Sequence, residues 1–384
     1  MHLFINSLAA SAGGGLTYIR NVVPVLASRP GVKITVALPV DLRSELQEFT
    51  GVEFVTADLP ALRRYWYEQS SLPGIILRSG ADALLSVGNF ALRSSPVPQI
   101  LLSRNSLYTS EDFYHDLRSR GEYRLWLDTH ARAWFARRSI AWADATVAPS
   151  EAFASELRRW TGKPVQAIHH GFDYQTFARG GAALAADVEE RLRAADGALK
   201  LLFVSHYNYY RNFETLFRAL PLVRERLSGS KVKLLLTCDL SNEKAHAYSP
   251  RRAAQLVTEL NLQEMIVELG NVPYAQLHQL YRRADIYVTP AYAETFAHPL
   301  VEAMASGLPV IASELAVHRE ICGDAAVYFA RFSPEKLAVQ ISEVAASPET
   351  MRRMTQSGRE RAQQFSWQKH VDGILRLAES LRRA

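Results

Sequence analysis

Short apolar runs recur along the chain, each closed by a turn and followed by residues spaced for a helix. Residues 3–5, 32–38, 83–87, 99–103, 145–148 and 165–169 read as buried strands, with a helix predicted over 17–28. Mostly apolar strands that alternate with helices specify a doubly wound parallel sheet, covered on both faces. From about residue 174 to 197 strand character disappears, and the stretch, which includes Gly180 and Gly181, fits a connecting segment. A second series then begins. Strands are predicted at 199–205, 232–237, 266–269, 286–289, 310–312 and 326–329, with helices over 333–346 and 349–365. Two α/β domains are expected, 1–173 and 198–365, joined by a 174–197 linker.

One strand–helix junction carries two carboxylates. Pro290 stops the 286–289 strand, Pro299 has the fixed φ suited to a first helical position, and Gly307 supplies a stop before the next strand. Glu294 then falls in the loop and Glu302 in the first helical turn, with seven residues between them. Ligands of parallel sheets bind where strands end and helices begin, and the amides of a helix start suit phosphate. A carboxylate repels phosphate, so its partner there is better sought among hydroxyls. Adjacent hydroxyls on a sugar or ribose can share one carboxylate, and the combination points to a nucleotide-sugar. Without a ligand, the helical glutamate would be stabilised by the helix dipole and the loop glutamate by water.

Composition narrows the class. With 384 residues, 48% apolar and 22% charged, the chain has the make-up of a soluble globular protein of two or three domains. Cys238 and Cys322 lie far apart in apolar contexts and imply no disulfide framework. The opening Met1-His2-Leu3-Phe4-Ile5-Asn6 turns polar too soon for a signal peptide, and no apolar run reaches a membrane span, so a cytosolic protein is expected. The formal net charge of +5 favours anionic partners. Over 118–138 stand Arg118, Arg120, Arg124, Arg132, Arg137 and Arg138 against Glu122 and Asp128, interleaved with Tyr123, Leu125, Trp126, Trp134 and Phe135. Read as one helix, this segment either makes peripheral contact with an anionic membrane or packs its aromatics into the first domain. Packing is the simpler expectation, because any surface helix is two-faced. No nucleic-acid motif accompanies the charge, and no nucleic-acid partner is expected.

The stretch ETFAHPLVEAMASGLPVIAS, Glu294 to Ser313, resembles the E-x7-E signature of retaining glycosyltransferases of family 4. GNVPYAQLHQLYRRADIYVTP upstream, from Gly270, and REICGDAAVYF downstream, to Phe329, resemble that family's usual surroundings, so the likeness spans about sixty consecutive residues. It implies the GT-B fold: two Rossmann-like doubly wound domains facing across a cleft, with residues 366–384 crossing back to complete the first domain.

The resemblance also assigns roles. Glu302 would bind the ribose diol, and Glu294 would grip donor-sugar hydroxyls and orient the anomeric carbon. Ser205-His206 stand where the family usually has glycine-arginine, and Arg211 where it has lysine, the two cations that clamp the donor diphosphate. Arg211 keeps the charge and adds bidentate geometry, whereas His206 is only partly protonated near neutral pH. Asn212 is placed to cap the helix that follows. Thr295, Phe296, Ala297, His298 and Leu300 would border the diphosphate with their amides, and Val272 would offer backbone to the nucleobase. Gly14 and Gly15, in a cluster with Gly13, lack dinucleotide spacing and alone read as a tight turn; the resemblance sets them beside donor and acceptor. Arg104 and Asn105, at the end of the 99–103 strand, are acceptor-side candidates or simple loop residues. His169 and His170 point to opposite faces of a strand and resemble a domain-end motif, so no metal site is expected.

The implied activity is metal-independent, cofactor-free, retaining transfer of a hexosyl or related group. It would run from a nucleotide-diphosphate sugar to a glycan or lipid-linked glycan, as in bacterial surface polysaccharide synthesis, at the inner face of the membrane. Glu294 and Arg211 would be its catalytic residues, and alanine at Glu294 is expected to abolish transfer while leaving folding intact. The alternative is a non-catalytic nucleotide-sugar-binding subunit of a glycan assembly complex, for which the His206 departure speaks.

Overall fold

The computed structural model describes residues 1–10, 14–43, 51–174, 177, 182–241 and 247–383; Gly13, Gly180 and Gly181 lie outside the described residues. The chain divides into two compact units. The first comprises Met1–Ser110, Leu117–Gly171 and Ser366–Ala384, the second Glu111–Asp116 and Phe172–Phe365.

The first unit is built on seven parallel strands: β1 (His2–Asn6), β2 (Lys33–Leu38), β3 (Val52–Thr56), β4 (Ala83–Ser86), β5 (Gln99–Leu102), β6 (Ala145–Ala148) and β7 (Gln166–Ala167). Their order is β3-β2-β1-β4-β5-β6-β7. β3 escapes the apolar pattern because it is an edge strand, Val52-Glu53-Phe54-Val55-Thr56, with no fully buried position. β7 is shorter than the 165–169 run, and the 118–138 segment is two helices rather than one. Glu111–Ser119 and Tyr123–Trp142 are separated at Gly121, whose φ of 73° no continuing helix accepts.

The last helix, Trp367–Arg383, lays Trp367, Val371, Ile374 and Ala378 into the first unit's core beside Leu3, Ile5, Val22 and Val36. Their spacing keeps them on one helical face. His370 Nδ1 lies 2.9 Å from the His169 carbonyl, which can only accept, so Nδ1 carries the proton and Nε2 accepts from the Tyr18 hydroxyl at 2.8 Å. At Gly171 a side chain would collide with the Trp367 amide nitrogen and the Ser366 carbonyl carbon. These are backbone atoms that cannot rotate aside. Gly171→Ala is expected to destabilise the protein by on the order of 3 kcal/mol, read as a fall in Tm. An unchanged Tm would show that the final helix is not seated there.

The second unit has six parallel strands: β8 (Leu199–Phe203), β9 (Val232–Leu236), β10 (Ile266–Glu268), β11 (Ile286–Thr289), β12 (Val310–Ser313) and β13 (Ala326–Phe329). Their order is β10-β9-β8-β11-β12-β13. The order reverses between β8 and β11, which pair directly. In parallel sheets, ligands bind at the carboxyl ends of the strands at such a reversal. The stretch read as a linker holds a helix, Ala186–Arg193, that buries Val188 and Leu192, with Arg191 Nη1 donating to the Glu268 carbonyl at 3.3 Å. Asp116 and Asp112 join this unit through the Tyr292 hydroxyl at 2.8 Å and Arg331 at 3.1 Å.

Candidate active site

Arg211 ends a single 3-10 turn, Tyr209–Arg211, after β8, and Glu294 lies in the loop after β11. Asn212 stitches the two together. It adopts φ 56°, a left-handed conformation that asparagine tolerates, and its Nδ2 donates to the Pro290 carbonyl at 3.1 Å. Its Oδ1 accepts from Thr215 Oγ1 at 2.9 Å rather than from a helix amide, so the expected side-chain cap of Phe213–Arg226 is not formed. The Tyr292 amide adds a bond to the Tyr210 carbonyl at 2.9 Å.

These bonds bring Arg211 Nη1 onto Glu294 Oε1. The pair is well shielded, with side-chain exposures of 21% and 10%. Burial, the largest single influence, lowers the Arg211 guanidinium, but the Glu294 carboxylate, Tyr210 and Tyr287 together hold the group above its ordinary value. Arg211 Nε is buried with no acceptor among the described residues. Glu294→Ala would therefore leave a buried cation without its counter-charge. The expectation that this substitution spares folding thus has a physical argument against it.

The glutamate at the other end of the motif sits differently from its expected station. The helix runs His298–Ser306, preceded by Ala297 at φ 64°, so Pro299 is its second residue and Glu302 its fifth. Glu302 is thus in the second turn, beyond the reach of the first-turn dipole. It is also only 4% exposed. The Tyr281 hydroxyl donates to Glu302 Oε2 at 2.8 Å, and the nearby Tyr274 phenol also favours the charged carboxylate. Burial pushes the carboxyl up to about 7, and the two phenols hold it below what burial alone would produce. A buried carboxylate costs several kcal/mol without partners. Neither solvation nor the helix dipole accounts for a glutamate here. Gly307, at φ 81°, ends the helix in the left-handed form.

One of the amides expected to face a diphosphate is already engaged: the Leu300 amide donates to the Ala297 carbonyl at 3.0 Å, and Pro299 before it carries no N–H. The Thr295 amide lies 3.3 Å from Glu294 Oε2. Phe296 is buried against Phe365 and His298, at ring distances of 5.4 and 4.8 Å, and Val272 is buried in its turn. Ser205 donates its amide to Thr237 Oγ1 at 2.9 Å and its hydroxyl to the His206 carbonyl at 2.7 Å, leaving the exposed His206 ring on the rim of the β8 loop.

Two family models cover most of the chain: "Glycosyltransferase Family 4" matches residues 12–176 and "Glycosyl transferases group 1" matches 187–361. The chain belongs to glycosyltransferase family 4. Among curated relatives, a D-inositol 3-phosphate glycosyltransferase of Segniliparus rotundus is 27% identical over 244 residues, 62% of this chain and 52% of that protein. One of the same name from Saccharomonospora viridis is 27% identical over 248 residues, 62% and 55% of the two chains. The chain spans about half the length of the curated relatives it matches. Among solved structures, a sucrose-phosphate synthase from Thermosynechococcus elongatus superposes with TM-score 0.76 at 20% identity, over 99% of each chain. An Anabaena protein in complex with UDP and glucose superposes with TM-score 0.71 at 17% identity, over 99% of this chain and 100% of that one. These likenesses show the GT-B fold.

One buried group of this family 4 protein went unnoticed in the sequence. His318, two residues into Ala316–Cys322, is fully buried, with Nδ1 2.9 Å from the Ser313 carbonyl and Nε2 without a partner among the described residues. Burial holds the imidazole below its ordinary value, opposed by Glu294 and reinforced by Arg211. Ser313 Oγ in turn donates to the Ala291 carbonyl in the Glu294 loop. The signal in the sequence was weak: a single histidine among apolar helix positions.

The remaining candidates lie in the first unit. A side chain at Gly15 would press on Ala10 at 3.2 Å and meet Arg104 Nη2 at 3.5 Å, so the absence of Cβ lets Arg104 approach the backbone. Gly14 opens the Gly14–Ala27 helix just before it. Arg104 Nη2 donates to the Val87 carbonyl at 2.7 Å, and its guanidinium lies 5.4 Å from the Tyr18 ring centre. Burial lowers this guanidinium to about 10, with the Tyr18 hydroxyl opposing. Asn105 instead caps the Ser106–Tyr108 turn, its Oδ1 accepting from the Leu107 amide at 3.0 Å.

Proposed function

We propose that the protein is a retaining glycosyltransferase that moves a sugar from a nucleoside-diphosphate sugar to a hydroxyl of a glycan or lipid-linked glycan, without a metal. The observation that carries this reading is Glu302: a carboxylate kept almost dry under the Tyr281 phenol, in the helix that follows the loop of a shielded Arg211–Glu294 pair at the β8/β11 switch point. A ribose diol offers the two donors that can replace tyrosine hydroxyls on Glu302. Arg211 has five N–H donors in a planar fork, so it can keep Glu294 and still meet a diphosphate. A guanidinium on the diphosphate would neutralise the leaving group without a metal. Glu294, oriented by Arg211, faces sugar hydroxyls. The acceptor oxygen then bonds to the anomeric carbon from the side the nucleotide leaves, the bond from that carbon to the diphosphate breaks, and the acceptor proton passes to the departing phosphate.

The UDP and glucose in the Anabaena neighbour make uridine the first base to try. The relatives named for inositol phosphate favour an acceptor that carries a phosphate, which Arg104 beside Gly15 would suit. The test is a thermal-shift panel of uridine, guanosine, adenosine and thymidine diphosphates with their sugars. One nucleotide, at about a hundred times its Kd, is expected to add about 2.7 kcal/mol of stability. Silence across the panel would overturn the reading. Turnover of the matched donor, unchanged by a chelator, is expected next; binding without any turnover would favour the non-catalytic subunit.

A further inference from the structure

The sequence leaves open whether the aromatics of the 118–138 region are packed or presented. In the Tyr123–Trp142 helix, Thr129, Ala133, Ala136 and Ile140 face the core. The opposite stripe, at the same helical spacing, holds Leu127 at 62% exposure, Trp134 at 54% and Arg138. The Ala61–Ser70 helix adds Leu62 at 73% and Trp66 at 63%. The Tyr65 ring links the two helices, lying 5.9 Å from both Trp66 and Phe135, which is itself 4.9 Å from Trp134. Large apolar side chains gathered this way cost hydration free energy unless something covers them.

What surrounds them selects the cover. Beside Trp134 a recess of about 310 Å³ is lined by Trp134, Arg137, Arg138, Ala141, Thr161 and Lys163, three cations with no carboxylate among them. Arg138 stacks over the Trp134 ring at 5.1 Å. Asp128, the acid on the exposed side of this helix, is paired with Arg132 at 2.7 Å. Among the described residues no helix is long and apolar enough to cross a membrane. Tryptophan beside arginine is the chemistry of the lipid headgroup layer: the ring sits among glycerol and acyl carbons while the guanidinium forks onto phosphate.

We infer that this face of the first unit docks on an anionic phospholipid bilayer, with Trp66, Trp134 and their apolar neighbours inserted and the Arg137–Arg138–Lys163 recess on a lipid phosphate. The inference stands apart from the proposed transfer reaction, since it uses none of the Arg211, Glu294 or Glu302 chemistry. It gives a lipid-linked acceptor a surface on which to be met.

Flotation of the full chain with vesicles of phosphatidylcholine, with and without phosphatidylglycerol, tests it. Binding is expected only with the anionic lipid and is expected to weaken as salt rises. Arg137→Gln with Arg138→Gln, and separately Trp66→Ser with Trp134→Ser, are each expected to lower the partition coefficient about tenfold or more, with Tm and the nucleotide-induced thermal shift unchanged. Failure to bind anionic vesicles, equal binding to neutral ones, or indifference to both double variants would overturn the inference. So would a dimer in sedimentation that the Trp66→Ser, Trp134→Ser variant abolishes, which would give the face to a second copy of the chain.

Discussion

Glu294→Gln is expected to slow sugar transfer by about 10²–10³-fold while the protein stays folded, because the amide keeps an acceptor for Arg211 Nη1 and loses only the charge. Glu294→Ala is expected to behave differently. It strips the counter-charge from a guanidinium whose Nε already lacks an acceptor among the described residues, and breaking such a buried pair costs on the order of 3–5 kcal/mol. Loss of activity in the alanine variant would therefore mix chemistry with unfolding, and the glutamine variant separates them. Arg211→Gln together with Glu294→Gln removes both charges and should recover part of the stability lost in Arg211→Gln alone, without recovering turnover. Wild-type turnover by a folded Glu294→Gln enzyme would remove Glu294 from the mechanism.

The second large effect concerns Glu302. Its carboxyl titrates near 4.5 when unperturbed and is pushed up to about 7 by burial. The folded protein holds this proton more tightly than the unfolded chain, so stability is highest below about pH 4.5 for this group. It falls as pH rises toward about 7, and stays at the lower level above that. The full difference is on the order of 3 kcal/mol. Glu302→Gln removes the titration and keeps an oxygen for the phenols of Tyr281 and Tyr274. The variant is therefore expected to show a flatter dependence of Tm on pH between 5 and 8, in step with an acid that titrates near 7 in the wild type. Nucleotide affinity should move the opposite way. The ionised carboxylate is the better acceptor for a ribose diol, so wild-type binding should tighten above pH 7, and the glutamine variant should lose roughly tenfold or more. Identical pH profiles for the two proteins would show that the group is not the buried acid described here.

Much of the frame was legible because it is written in local patterns. Apolar runs bounded by turns mark β8, β11 and β12 to within two residues, and the Glu294–Glu302 spacing is plain in the sequence. Where local patterns are weak, sequence and structure part. β3 is an edge strand with polar positions, and Gly121 divides what read as one helix. Pro299 fits the second helical position as well as the first, so the helix start slipped by one residue and Glu302 moved from the first turn to the second.

The site's electrostatics lay beyond such signals. Glu302 meets Tyr281 across 21 residues, and Arg211 meets Glu294 across 83, by way of the Asn212 contact to Pro290. His318 acquires its setting only when Ser313 and the Ala291 loop close over it. The exposed Trp66 and Trp134 likewise could not be told from core residues by their order in the chain. The sequence by itself determined the alternating elements, the two parallel sheets and the spacing of the glutamates, because backbone conformation responds to near neighbours. Only the tertiary structure decided which charges lose their water and which apolar rings keep it, because desolvation depends on what converges through space.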